Sequence, residues 1–520
     1  MKRRTFLSRS TSLLAAPILL NGMRLSAWTA PTEWLAGLAG ASGRVLVIIQ
    51  LEGGNDGLNM VIPAEDDRYY TYRPTLGIAK SSALPLAGQP LLRLHPAMSG
   101  VRSLFDSGLL AIVENIGYDG MNLSHFTGTE IWNTASGNRK EEFLQTGWIG
   151  RYLQHEYPDF PAVLPADPPA IEISLATSTV FTVQGASIGM SLTDPQQFYD
   201  LVNGGAIVRD DQAPDNRSGR EWNFVDSINN QSQVYSEVVR AAAQKGSNKV
   251  SYPDGNLLAQ SLGIIARLVA GGLGTRIYKV TLGGFDTHST QAPQHEKLLT
   301  TLSDAIKAFQ DDLIALGIGD RVVGMTYSEF GRRAGENGSG TDHGTAAPHF
   351  VFGSSIDGGR VFGGVPDLGA LDANGNLPAA VDFRCYYSSI FAPLFNLDAK
   401  AMATVLPLHP CDLPNYLPLF RVPPSGADSS ATTPAAASVT VEPNPVSGDA
   451  RITLRSPRRG MATITLTSAR GERVRRLYRG DLEMGSTMLR CDLSGVPAGS
   501  YIVTAEIGGA MATSKVTVIR

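Results

Sequence analysis

Four short apolar runs, 45–51, 109–116, 277–282 and 321–327, each stop abruptly at a cluster of Gly, Asp, Ser or Glu. The first, Val45 to Leu51, is nearly continuous in Val, Leu and Ile. That is the pattern of a strand buried on both faces of a parallel sheet rather than one exposed on one side. Strands of this kind need helices on both faces, so the chain is constrained to an α/β fold with a mostly parallel sheet. In such sheets reactive groups gather beyond the carboxyl ends of the strands. The residues just past these runs are therefore the place to look for chemistry.

At 520 residues the chain exceeds what one core usually supports, so two or more domains are expected. A net charge of −4 and a 43 % apolar fraction describe an ordinary soluble protein, and no basic stripe recommends nucleic acid as a partner. Glycine (55) and proline (31) are frequent, as in loop-rich enzymes. The three cysteines, 385, 411 and 491, match neither a zinc cluster nor a disulfide framework, though a Cys385–Cys411 bridge is open to an exported chain.

The chain begins Met-Lys-Arg-Arg-Thr-Phe-Leu and continues into a short apolar stretch, Leu13–Leu20, that contains Pro17. This reads as a twin-arginine export signal over 1–41, with Ala39-Gly40-Ala41 offering a cleavage site. An uncleaved anchor is the alternative, but the stretch falls well short of the roughly 20 residues that span a bilayer, and no stable transmembrane span is expected. At the other end, 423–437 is rich in Pro, Ser, Ala and Thr, which bury little; it reads as a linker. Beyond it, six or seven alternating strands separated by Gly, Pro and Asn turns predict a small β-sandwich over 438–520. The α/β domain is left as 42–422.

The ends of the apolar runs supply the candidate site. After the first comes Glu52-Gly-Gly-Asn-Asp-Gly57, where Asp56 suits a metal and Asn55 a substrate oxygen; a turn serving only the backbone is the plainer alternative. After the second, Ser124 stands at a helix start beside His125, as an N-cap or as a nucleophile stabilised by the helix N-terminus. The third run leads to Asp286 and His288, two apart, with His295 further on; the pair can reach one cation, or can be an incidental surface loop. The fourth ends at Glu329 and Arg332, followed by Asp342-His343. Of eight histidines, four (288, 295, 343 and 349) fall in this one stretch, which favours a metal.

Two resemblances add to this. Leu51-Glu-Gly-Gly-Asn-Asp-Gly-Leu-Asn, Leu94-His-Pro-Ala, Ser124-His-Phe, Gly147-Trp-Ile-Gly-Arg151, Gly284-Phe-Asp-Thr-His288, Ser328-Glu-Phe-Gly-Arg332 and Gly340-Thr-Asp-His-Gly344 resemble the family called domain of unknown function 1501, over about 44–420. The order of strand ends looks like the wider alkaline phosphatase superfamily, which includes the sulfatases. The punctuation of 438–520, with Val441-Glu-Pro-Asn-Pro-Val446, Leu493-Ser-Gly-Val-Pro-Ala-Gly-Ser-Tyr501 and Lys515-Val-Thr-Val-Ile-Arg520, resembles the type A sorting domain of the type IX secretion system of Bacteroidetes-like bacteria. An adhesive or carbohydrate-binding sandwich is the alternative.

The superfamily resemblance implies a mostly parallel sheet sandwiched by helices and a Ser nucleophile beside one or two divalent metals, Zn or Mn first, with Mg or Ca as alternatives. Carried over, Ser124 is the nucleophile. Asp56, Asp342 and His343 hold one metal, with Glu329 as the alternative to Asp342. Asp286, His288 and His349 hold the other, and Arg332 or Asn55 binds the non-bridging oxygens. This chain departs from the superfamily in placing the His two residues after Asp286 rather than about four, and in standing Asp342-His343 about a dozen residues beyond its strand. The Cys/Ser-x-Pro-x-Arg string of sulfatases does not follow the first strand. The expectation is an exported metal-dependent hydrolase of phosphate or sulfate esters, phosphate slightly preferred, acting on a small-molecule or polymer ester. It uses the twin-arginine and type IX export machinery and ends at the cell surface or outside, by way of the periplasm. The alternative is a surface binding or structural protein that keeps the fold without turnover.

Overall fold

The computed structural model describes residues 19–20, 23–24, 43–161, 163–183, 186–203, 232–233, 235–408, 411 and 417–421, and then 438–519 apart from 443, 457–459, 469–472, 483–484 and 508–509. Apart from a two-residue pairing of Leu19–Leu20 with Met23–Arg24, the expected export signal lies outside the described residues, as does the expected linker. The chain divides into two compact units, Met1–Val422 and Pro423–Arg520.

The large unit is built on one nine-stranded sheet. In chain order its strands and the hairpin that belongs to the site are β1 (Val45–Glu52), β2 (Leu110–Gly117), β3 (Ala170–Ile173), β4 (Met190–Leu192), β5 (Ile277–Gly283), β6 (Val322–Tyr327), the hairpin β7 (Arg332–Glu336) and β8 (Thr341–His343), β9 (Ala347–Phe352), β10 (Val361–Phe362) and β11 (Val381–Asp382). The sheet order is β4-β3-β5-β1-β6-β9-β2-β10, with β11 also on β2. Every pairing is parallel except those of β9, which runs against both β6 and β2. This is the expected mostly parallel sheet. The antiparallel β9 was not foreseen: its Ala-Pro-His-Phe-Val-Phe sequence carries no mark of direction.

Five helices cover the faces of the sheet or lead into the site: α1 (His125–Thr134), α2 (Trp148–Glu156), α3 (Leu257–Ala270), α4 (Gln291–Ala315) and α5 (Phe383–Phe395). Because side chains alternate across a strand, β1 feeds two cores at once. Val45, Val47, Ile49 and Leu51 join the apolar faces of α3 and α4, while Leu46 and Ile48 join those of α1, α2 and α5. The result is a three-layer sandwich whose central strand is buried on both faces. On the second face Trp148 and Tyr387 stack with ring centroids 4.5 Å apart, Trp132 meets Tyr387 edge-on and Phe391 meets Trp148 edge-on. The disulfide Cys385–Cys411 joins α5 to the segment beyond it.

The small unit is a sandwich of seven strands, β12 (Ser438–Glu442), β13 (Asp449–Ser456), β14 (Gly460–Ser468), β15 (Arg473–Leu482), β16 (Gly485–Asp492), β17 (Gly499–Ile507) and β18 (Ala510–Val518). They form antiparallel sheets β12-β13-β16 and β15-β14-β17-β18. Val441, Ile452, Leu454, Ile464, Leu466, Val503 and Val516 fill the space between the sheets. Strand β15 lies at a sheet edge, and its Arg-Val-Arg-Arg-Leu-Tyr-Arg sequence is of the charged kind that discourages edge-to-edge pairing. That composition hid it from the alternation by which the other strands were read.

Two positions show why glycine is needed where the layers meet the site. Gly53, just past β1, has φ +117°, and a Cβ there would lie 2.4 Å from the Asp286 backbone nitrogen. A Cβ on Gly340 would lie 2.3 Å from the carbonyl carbon of His288. Both glycines let loops from different strands touch backbone to backbone.

Candidate metal centre

Strands β5, β1 and β6 are neighbours in the middle of the sheet and parallel, so their carboxyl ends open together. From β5 the chain reaches Asp286 and His288. From β6 it reaches Glu329, and then the β7–β8 hairpin, which ends on His343. Helix α1 contributes His125, its first residue. Among the described residues, the ligand atoms of His125, Asp286 and His343 all lie within 4.8 Å of one another.

The three imidazoles around Asp286 share one orientation. His343 Nδ1 is 2.8 Å from the Leu123 carbonyl, which can only accept, so the proton sits on Nδ1 and Nε2 keeps its lone pair. His125 Nδ1 is 2.8 Å from Glu329 Oε1, an acceptor when ionised, and this again leaves Nε2 free. His288 Nδ1 faces Asp342 Oδ1 at 3.6 Å. The Nε2 atoms point inward: His288 and His343 Nε2 are 2.9 Å apart, and they lie 3.1 and 3.2 Å from Asp286 Oδ1. His125 Nε2 is 3.4 Å from Asp286 Oδ2 and, buried, makes no hydrogen bond among the described residues. Around a tetrahedral ion with bonds of about 2 Å, ligand atoms stand about 3.3 Å apart. The His288–His343 separation and the distances of the three imidazoles from Asp286, 2.9–3.4 Å, are close to that spacing, and imidazoles with one carboxylate are a donor set suited to a divalent metal.

Phe330, buried beneath the cluster, packs against the rings of His125 and His343 at 4.9 and 4.6 Å. Partial burial works to raise the Asp286 carboxyl, but the hydrogen bond and charge of Arg332, together with the contact to His343, bring it down to about 2. It is an anion at any ordinary pH. Burial holds the His343 imidazole below its usual range, only partly offset by its contacts to Leu123 and Asp286, which favours the neutral form that can donate a lone pair.

The expected residues are distributed unevenly. The structure gathers Asp286, His288 and His343 into one cluster instead of dividing them between two ions. Glu329 and Asp342 stand behind the imidazoles of His125 and His288; Asp342 also accepts from Asn337 and faces Arg333. Arg332 is fully buried, and its guanidinium is spent on the carbonyls of Gly53, Gly54, Phe285 and Thr341 and on Asp286 Oδ1 at 2.8 Å. It braces the site and has no donor turned outward for a substrate oxygen.

Asp56 is seated elsewhere as well. Its carboxylate is wholly buried, gripped at both oxygens by Arg73 (2.6 and 2.9 Å) and by Gln291. Burial alone would raise this carboxyl, and the Arg73 charge and hydrogen bond outweigh it. Asn55 is buried too, its Oδ1 2.9 Å from His295 Nε2. His295, mooted as a further ligand, is held by burial at about 4 and is closed into that pair. His349 lies on β9 between Trp132 and Tyr386, wholly buried, with no partner for either ring nitrogen among the described residues. Ser124 is the N-cap of α1; it is exposed, and its hydroxyl makes no capping bond.

Two residues of the site are not evident from sequence alone. His125 stands out only as a neighbour of Ser124, although a histidine at a helix start just past a buried strand was a legible sign. Gln291 carried no sign. Its backbone N–H donates to Ser339, its side-chain nitrogen donates to Asp56, and its oxygen accepts from Thr287 (3.2 Å) and Thr341 (2.7 Å). Those threonines immediately precede His288 and Asp342. One buried amide therefore clamps together the two loops that carry His288 and His343.

Residues 220–379 match the family described as "Protein of unknown function (DUF1501)", a span that includes Asp286, His288, Glu329, Asp342 and His343. Residues 440–519 match the "Secretion system C-terminal sorting domain". The chain thus carries one segment that matches DUF1501 and another that matches a secretion sorting domain. A sorting domain of this kind directs its carrier out of the cell, to the surface or beyond. No helix among the described residues is long and apolar enough to cross a membrane. No curated protein matches the sequence. Among solved structures, the chain is similar to the PsFucS1 sulfatase of Pseudoalteromonas sp. (12 % identity, 89 % of this chain and 87 % of that one, TM-score 0.32). It is also similar to a 2-O GAG sulfatase (10 %, 86 % and 85 %, 0.27) and to the lipoteichoic acid synthase LtaP of Listeria monocytogenes (9 %, 69 % and 74 %, 0.30). Likenesses this distant say nothing of what this chain acts on.

Two outcomes are expected. Replacing Gln291 with Leu releases Thr287 and Thr341, and should lower divalent-metal affinity about 10- to 100-fold while far-UV circular dichroism is unchanged. Unchanged affinity would show that the loops hold themselves. His349 is held at about 3 by burial, against about 6.5 when unfolded, so only the unfolded chain takes up its proton between those values. Its contribution to stability is complete above pH 6.5 and is lost as pH falls towards 3. Between pH 7 and 5 this amounts to about 2 kcal/mol, which urea unfolding should show in the native chain and not in His349→Phe.

Proposed function

We propose that this protein is an exported metal-dependent hydrolase of phosphate or sulfate esters. The observation that supports the reading is the convergence of three imidazoles, those of His125 and His343 anchored through Nδ1, with their Nε2 atoms 3.1–3.4 Å from the Asp286 carboxylate. His125, Asp286, His288 and His343 would hold the ion, Zn or Mn by the softness of imidazole, with Mg or Ca less suited to so many nitrogens. Glu329 and Asp342 would fix two of the rings from behind. A bound divalent ion would supply Lewis-acid polarisation of the ester and neutralise developing charge. Ser124, exposed beside His125 at the helix start, is the candidate nucleophile, and Glu329 behind His125 sets the tautomer of the ring next to it.

One observation favours a second reading, a surface protein that keeps its metal without turning over an ester. Among the described residues, no Lys or Arg lines the cleft beside the cluster, so none of them offers an anionic ester a counter-charge there.

Metal analysis of the full chain beside Asp286→Ala/His343→Ala, with aryl phosphate and aryl sulfate turnover measured in Ser124→Ala, separates the two. The hydrolase reading expects stoichiometric metal that is lost in the double variant, and turnover lowered at least about 100-fold in Ser124→Ala. Retained metal with no turnover on any ester tested would support the second reading. Absence of metal in folded native protein would remove both.

A further inference from the structure

A cleft of about 580 Å³ is lined by Asp286, His125 and Glu329 of the candidate metal cluster, among other residues. Three properties of the rest of its wall belong together. Phe126, on the first turn of α1 and next to His125, is 92 % exposed. Leaving a phenylalanine ring in water forgoes about 1.5–3 kcal/mol of burial, so a bare ring at the mouth of a cleft is a place for something else to pack. Among the described residues carboxylates dominate the charge: Glu52 and Glu130 line the cleft along with Asp286 and Glu329, with no Lys or Arg among them. Glu130 is already pre-set, its Oε2 accepting from Thr179 Oγ1 at 2.8 Å, and Thr179 Oγ1 in turn accepts from Asn133.

An apolar ring beside fixed carboxylate acceptors selects among ligands. A polyanion is repelled by Glu52 and Glu130. An alkyl or aryl group would cover Phe126 but leave those carboxylates desolvated and unpaired, at considerable cost. A sugar ring meets both demands, since its C–H face packs on an aromatic ring and its hydroxyls donate to carboxylates. We propose that this cleft is a subsite for an uncharged sugar ring, seated on Phe126 and hydrogen-bonded to Glu130. The single anionic group of the substrate would then lie at the metal end. The position of that anionic group rests on the hydrolase reading; the sugar subsite is open to test without turnover.

The probe is a panel of linear uncharged hexasaccharides with gluco, manno and galacto configurations, titrated into the full-length, chelator-treated chain. A polysulfated hexasaccharide and a tetralysine peptide serve as competitors of the other two charge classes. At least one uncharged sugar is expected to bind. Phe126→Ala should weaken it about tenfold, the worth of roughly half a buried phenylalanine. Phe126→Trp should preserve it, Leu91→Ala at an exposed site elsewhere should leave it unchanged, and metal retention in Phe126→Ala should equal that of the native chain. The proposal is overturned if no uncharged sugar binds, if the sulfated or cationic probe binds more tightly, or if Phe126→Ala binds as the native chain does. Sugar binding that survives in a protein with no esterase activity would remove the hydrolase reading and leave the subsite standing.

Discussion

The large unit depends on one buried ion pair. Arg73 grips both oxygens of Asp56, and its remaining donors go to Asn59 Oδ1 and to the carbonyls of Arg333 and Ala334. That single guanidinium thereby ties the end of β1 to the hairpin that ends on His343, while Gln291 ties the same carboxylate to the start of α4. A charge pair taken wholly out of water gains little net stability, because desolvation offsets attraction, but removing one partner strands the other at a cost of about 3–5 kcal/mol. The pair therefore acts less as a source of stability than as a constraint: the loops around it have one arrangement that satisfies every donor.

A second guanidinium repeats this on the other side of the glycines. Arg332 collects four backbone carbonyls and then the Asp286 carboxylate, so the one anion at the centre of the imidazoles is fixed by a buried cation from the protein. The cluster is thus organised before any ion arrives. Nδ1 contacts set the tautomers, Phe330 sets the ring planes, and Arg332 sets the carboxylate. Such pre-organisation lowers the ordering cost of binding and is the usual work of the groups behind metal ligands.

Much of this was legible in the sequence, for a physical reason. Strands buried on both faces must be apolar throughout, so β1 and β6 announced themselves, and glycines must stand where loops cross closely. Asp286, His288 and His343 stood out because histidine is scarce here. What could not be read was which polar residue turns inward to structure and which to the cleft. Asp56 has the composition of a ligand and the surroundings of a strut, and only the arrival of Arg73, 17 residues away, decides between them. His349 looked like a ligand of the second metal, beside Asp286 and His288, yet strand alternation on β9 points it into an aromatic core. Lys279, in the middle of β5, contradicts a buried strand until Glu172 is seen directly opposite on β3, 2.6 Å from its amine. Partnerships made across the sheet leave no local trace.

The sheet order has a further consequence for how such a chain is made. β1 stands at the centre and is made before both of its neighbours, β5 and β6, which begin at residues 277 and 322. Until residue 277 has been made, this apolar strand has no neighbour to pair with. Contacts this distant in sequence close slowly and leave hydrophobic strands exposed meanwhile. The candidate metal cluster, which draws on residues from 125 to 343, cannot form before residue 343 is made. Any ion bound there would be met by a finished fold, and the compartment where folding ends would decide which metals are on offer.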